Sequence, residues 1–259
     1  MKKINLLFVF TLISIGFSSI LISSCNKSTN SGTVNVNGSL FFHLHTNVDT
    51  NEVDNYGQVY VLTGGRKISV SMAQMYISNI QLIKADGSVY SIAGLNLLKV
   101  QQTEPYALGS VPAGNYQSVR FTVGLDDATN GKTPVANDST FNQPKMWFGN
   151  TAQPQGYIFV NFQGSIDTTK GMNSSKLIPF SYKIGTSARK QIVQMPIQAF
   201  SVDPKQVQYV HMVIDYNKLF TGIDLTKIGN LTVNTPTDNA GALATQISGN
   251  IPSMFSYEH

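Results

Sequence analysis

One cysteine, one tryptophan and four histidines are all that 259 residues contain of those three types. A lone thiol excludes a disulfide within the chain and any thiolate metal cluster. Charge is also sparse. Asp, Glu, Lys and Arg make up 12% of the chain, and the net charge of +4 counts Lys2 and Lys3 at the extreme N-terminus. That balance gives no basic surface, so no nucleic-acid partner is expected. Neutral Asn, Gln, Ser and Thr solvate the surface instead, as in many exported β-proteins. Helical periodicity is scarce, and no repeat of solenoid length occurs. The chain also lacks a Gly-x-Ser-x-Gly elbow, a His-Glu-x-x-His pair and a phosphate-cradling glycine loop, so it reads as a binding protein and not an enzyme.

What is present begins at the N-terminus. Lys2 and Lys3 precede an uncharged apolar stretch from Ile4 to about Ile22, the outline of an export signal. The stretch ends in Leu21-Ile22-Ser23-Ser24-Cys25. Small side chains before a cysteine suit lipoprotein processing, in which the thiol accepts diacylglycerol before the preceding bond is cut. Residues 1–24 are therefore expected to be a lipoprotein signal peptide, and Cys25 the lipidated N-terminus of the mature chain. An uncleaved membrane anchor is the competing reading. Residues 25–32 are polar after the cysteine and read as a flexible tether. Asn26 in place of Asp omits the inner-membrane retention signal of some bacteria, which points to an outer-membrane lipoprotein on the periplasmic or surface face of the cell envelope. Residues 33–259 form one expected domain, large enough to hold together by core burial.

Between Thr33 and His45, apolar side chains fall on Val34, Val36, Leu40, Phe42 and Leu44. Period two predicts a strand with one buried face. The alternation returns at Val119, Phe121, Val123 and Leu125, at Ile158, Val160 and Phe162, and at Val210, Met212 and Ile214. Asp86-Gly87 reads as a hairpin turn, because glycine accepts the positive φ that such turns need. The pattern predicts an all-β fold, an antiparallel β-sandwich with Greek-key-like connections. Leu243, Ile247 and Ile251, four apart, predict a short C-terminal helix with Asn239 as its cap.

Imidazole chemistry must draw on His43, His45, His211 and His259. His43 and His45 sit two apart on the first strand, which puts both rings on one face roughly 6 to 7 Å apart at the backbone. Such a pair can chelate copper or zinc. Two solvated strand histidines are the alternative. His211 reads as a surface or half-buried residue, and His259 ends the chain. Asp126, Asp127, Asn130 and Asp138 offer calcium-type oxygen donors in one loop, without EF-hand spacing; a polar surface loop is the competing reading. Trp147, beside Met146 and Phe148, reads as core or as an exposed aromatic site.

In order along the chain stand Phe42-His43-Leu44-His45, Tyr76-Ile77-Ser78-Asn79-Ile80-Gln81-Leu82 followed by Asp86-Gly87, Val111-Pro112-Ala113-Gly114-Asn115-Tyr116 and Phe121-Thr122-Val123-Gly124-Leu125-Asp126. Met146-Trp147, Gly156-Tyr157-Ile158-Phe159, Phe180-Ser181-Tyr182-Lys183-Ile184-Gly185, Ile214-Asp215-Tyr216 and the terminal Met254-Phe255 with His259 continue the series. The set resembles the MbnP-like family, exported copper-binding proteins with many lipoprotein members in Bacteroidetes-type bacteria. The resemblance implies a β-sandwich and a mononuclear copper held chiefly by histidine, here His43, His45 and His259. It also implies, in some members, a tryptophan oxidised to kynurenine by a MauG-like dihaem partner, for which Trp147 is the candidate. Two positions depart from the pattern. Lys183 stands where the family has histidine, and a protonated amine has no lone pair for a metal; Trp147 follows Met146 directly and precedes a longer insertion. Two expectations follow: a lipid-anchored copper protein for storage or transfer, or a metal-free scaffold lipoprotein in an outer-membrane assembly, with a transport protein as partner.

Overall fold

The computed structural model describes residues 36–102, 104–150 and 153–258. The expected export signal, Cys25, the expected tether and His259 lie outside them. The principal elements in chain order are strands β1 (Asn37–Val48), β2 (Lys67–Lys84), β3 (Pro105–Pro112), β4 (Gly114–Val123), β5 (Gln153–Ile166), β6 (Ile178–Gly185) and β7 (Val207–Asp215), helix α1 (Ala242–Asn250) and strand β8 (Phe255–Tyr257).

Sequence alternation becomes burial alternation along β1. Leu40, Phe42, Leu44 and Val48 are completely buried, whereas Phe41, His43 and His45 stand on the opposite face. Successive side chains of a strand point to opposite faces, so one sequence serves a core and a surface at once. Among the described residues, β1 lies inside a five-stranded sheet in the order β8, β7, β1, with β3 and the short Asn51–Glu52 strand on its other side. A second, eleven-stranded sheet has β4, β2, β5 and β6 as its spine.

The two sheets bury their inner faces against each other, as a sandwich requires. Phe42 of the first sheet meets Phe121 of the second at a ring-centroid distance of 6.1 Å. Phe162 packs on Phe180 at 4.9 Å and on Tyr216 at 5.0 Å. Close strand approach in this region depends on Gly164, because a Cβ there would overlap the Ser69 carbonyl oxygen. The expected all-β sandwich and C-terminal helix are both present. Among the described residues two strand pairs nevertheless run parallel, β1 with β7 and β6 with Thr232–Val233. Alternation fixes which face a residue occupies but carries no information on strand direction.

The hairpin turn also forms as expected. Gly87 takes φ 84°, and the Asp86 carboxylate accepts a hydrogen bond from the Ser88 amide at 2.8 Å. The helix cap differs. Gly241 occupies that position, while the buried Asn239 accepts from the Gly185 amide and donates to the Lys183 carbonyl, both at 2.9 Å. Asn239 thus ties the helix approach to β6, a tertiary role that outcompetes local capping. Among the described residues no helix is long and apolar enough to cross a membrane.

Candidate metal centre

The outer face of the five-stranded sheet gathers three imidazoles. The β1–β7 register sets His43 directly beside His211. Their ring centroids lie 4.7 Å apart, and His43 and His45 are also separated by 4.7 Å. The parallel pairing is what creates this cluster, since it brings one histidine of a distant strand level with the His43/His45 pair.

Three carboxylates close around the rings, each delivered by a strand end. Glu104 immediately precedes β3, whose Pro105 pairs with His43; its own carbonyl accepts from the Leu44 amide at 3.0 Å. Glu52 faces Asn47 in the short antiparallel pair that follows β1. Glu258 follows β8, which pairs with β7, and its amide donates to the His211 carbonyl at 3.3 Å. The resulting contacts divide the donors. His43 Nε2 lies 3.2 Å from Glu104 Oε2, and His45 Nδ1 lies 2.8 Å from Glu52 Oε1. Glu258 Oε2 stands 3.4 Å from His45 Nε2 and 3.2 Å from His211 Nδ1.

His43, His45, His211 and Glu258 each place one ligand atom within 4.8 Å of the others. A tetrahedral ion with bonds near 2.1 Å needs donors about 3.4 Å apart. The half-exposed His211 and Glu258 can rotate to close that difference. Fit to an ion rests on a further feature: His43 Nδ1 is buried and has no hydrogen-bond partner. An unsatisfied buried polar atom is costly, and a bound cation would relieve it. The other nitrogens of His43 and His45 already face Glu104 and Glu52. That is the carboxylate–histidine arrangement that orients rings toward a metal. A cavity of about 380 Å³, bordered by Tyr209, His211, Tyr257 and Glu258, adjoins the His211–Glu258 side of the cluster.

The two β1 histidines are tuned in opposite directions. Burial, followed by the positive charge of His45, holds the His43 pKa below its ordinary value against the pull of Glu104. Burial also acts downward on His45, but its hydrogen bond to Glu52 and the charges of Glu258 and Glu104 outweigh it and raise the pKa. His43 therefore keeps a free lone pair at neutral pH, while His45 retains its proton further up the scale. Behind the carboxylates, buried Lys99 donates from Nζ to the Val100 carbonyl at 2.7 Å, and burial pushes its pKa down to about 8.

The remaining candidates fall elsewhere. Trp147 is 5% exposed and stacks on Tyr157 at 5.2 Å in a separate core cluster with Tyr76, Met146 and Phe159. Its indole nitrogen donates to the Gln143 carbonyl. It belongs to the core and not to an exposed aromatic site. Lys183 lies on β6 of the other sheet and shares a surface depression with Trp147, Lys145 and Asn161. The proposed calcium donors are already engaged by protein groups: Asp126 caps a short helix through the Thr129 amide at 2.9 Å, Asp127 pairs with Lys190 at 2.7 Å, and Asn130 accepts from the Tyr157 amide at 2.8 Å. Asp138 accepts from the Thr140 and Phe141 amides, each at 2.9 Å. Local turns and caps use these oxygens. His259 is outside the described residues, but its neighbour Glu258 reaches the cluster. Sequence reasoning missed His211, Glu52, Glu104 and Glu258.

Fold and site together define an all-β sandwich with a histidine–carboxylate cluster on an outer sheet face. The MbnP family model matches residues 37–236, more than half the chain, and the protein belongs to that family. The solved structure of MbnP from Methylosinus trichosporium superimposes with a TM-score of 0.54 over 85% of this chain and 98% of that one, at 17% identity. At that identity the likeness speaks for the fold. No curated protein matches the sequence significantly.

Proposed function

We propose that this protein is a lipid-anchored, non-enzymatic copper-binding protein of the cell envelope, and that His43, His45, His211 and Glu258 hold the ion. The observation that carries this reading is the convergence of donors from His43, His45, His211 and Glu258, with His43 Nδ1 buried and unpartnered beside it. Three imidazoles and one carboxylate, without a thiolate, suit a borderline ion, and copper stands highest among divalent ions in affinity for such donors. The family resemblance points to the same metal. Partially exposed ligands favour storage or hand-over, because an ion held at a surface is reachable by an acceptor.

Lys183 does not weigh against this cluster, since the two are on different sheets. Lys183→Met and Trp147→Phe are expected to leave copper affinity within roughly twofold of the parent, the scale of changes remote from a site. Competition titration against a chromophoric chelator measures this. A large loss in either variant would move the ion to the other sheet.

Copper affinity should also depend on pH through His45, whose proton competes with the metal. Because its pKa is raised above 6.5, affinity is expected to begin falling above that pH and then to drop about tenfold per unit on further acidification. The same titration repeated across pH tests it. A flat profile down to pH 6 would remove His45 from the ligand set.

The anchor rests on the Ser23-Ser24-Cys25 pattern. Labelled fatty acid is expected to enter the full-length protein in cells and to be lost in Cys25→Ser, read by gel autoradiography. Equal labelling of both forms would exclude lipidation at that thiol.

A further inference from the structure

We propose a second cation site on the far side of the His45 ring, so that the cluster takes two ions bridged by one imidazole; this rests on the metal reading above. His45 is the one residue shared by two donor groups. The first is His43, His45, His211 and Glu258, and the second is His45, Glu52 and Glu104, with ligand atoms within 4.8 Å of one another in each. The two groups address opposite nitrogens of the ring. Nε2 faces Glu258 at 3.4 Å, whereas Nδ1 faces Glu52 at 2.8 Å and Glu104 at 3.6 Å. A fully deprotonated imidazole presents one lone pair on each nitrogen, in opposite directions.

Glu104 is placed to serve both sides. Its Oε2 holds the His43 ring at 3.2 Å, and its Oε1 is the atom turned toward His45 Nδ1. Charge supports double occupancy. Glu52, Glu104, Glu258 and a His45 imidazolate carry four negative charges, which two divalent ions match, whereas one ion leaves the cluster negative. Loading is sequential. With one ion on Nε2, the Nδ1 proton stays hydrogen-bonded to Glu52. Entry of the second ion displaces that proton to solvent, one proton for the one new metal–nitrogen bond.

The test is a titration of the purified chain with Cu(II) at mildly alkaline pH, followed by equilibrium dialysis and electron paramagnetic resonance. Two equivalents are expected to bind. Signal intensity should rise through the first and fall through the second, because an imidazolate bridge couples the two spins in opposition. In the double variant Glu52→Gln, Glu104→Gln, checked for unchanged circular dichroism, the second equivalent is lost, while the first still binds, weakened about 10–100-fold because both carboxylates also orient the His43 and His45 rings. Both substituted side chains are exposed enough to tolerate the amide. Saturation at one equivalent would overturn the proposal and leave the single-ion reading standing. A second equivalent that adds its full signal, or that persists in the double variant, would equally overturn it. No binding at all would remove the single-ion reading as well.

Discussion

His43→Ala is expected to weaken copper binding by roughly 100-fold or more while leaving the metal-free fold intact. Structural zinc sites gain about 10–16 kcal/mol from the ion, and a comparable total shared among four donors makes each worth about 3 kcal/mol, or some two decades in affinity. His43 should carry at least that share. It lies between the other two rings, its Nδ1 has no protein partner to keep, and its lowered pKa leaves it free of proton competition at neutral pH. His211→Ala should cost less, because that ring is 48% exposed and holds its position less firmly. Chelator competition with each variant measures the order. Equal, small losses in both would mean that the ion sits elsewhere.

One residue earlier the same strand should respond in the opposite way. Phe42→Ala is expected to lower the unfolding free energy by about 3–5 kcal/mol, the range for deleting a buried aromatic ring. Phe42 is completely buried and meets Phe121 across the two sheets. Backbone pairing of β1 with β7 and β3 constrains collapse around the void, so the cost should fall in the upper part of that range. Urea denaturation reads the change directly. By contrast, His43→Ala should shift the urea midpoint of the metal-free protein little, since truncation removes an unsatisfied buried nitrogen along with some ring contacts. Together the neighbouring substitutions separate the core face of β1 from its binding face.

That two-faced strand is also the part of the protein most legible in the sequence. Period-two alternation from Leu40 to Leu44 identifies the buried face, and the His43/His45 spacing places two candidate ligands on the other. The rest of the site was hidden for three physical reasons. His211 joins through a parallel register between β1 and β7, and no local pattern encodes which distant strand lies alongside or in which direction. Glu52, Glu104 and Glu258 stand at strand ends, where a carboxylate is ordinary and only tertiary placement makes it a candidate ligand. Lys183 and Trp147 were weighed against the histidines because the resemblance joined them in one site, whereas the sandwich puts them on the other sheet. The loop carboxylates Asp126, Asp127 and Asp138 illustrate the converse. Their oxygen chemistry suits calcium, but helix capping, an ion pair and turn amides already claim it.

The most direct measurement is anomalous X-ray scattering at the copper edge from crystals of the copper-loaded protein. The expected result is a strong peak within bonding distance of His43, His45 and His211 on the outer face of the five-stranded sheet. A peak beside Lys183 and Trp147 on the other sheet, or none near the three imidazoles, would contradict the assignment of this cluster as the metal centre.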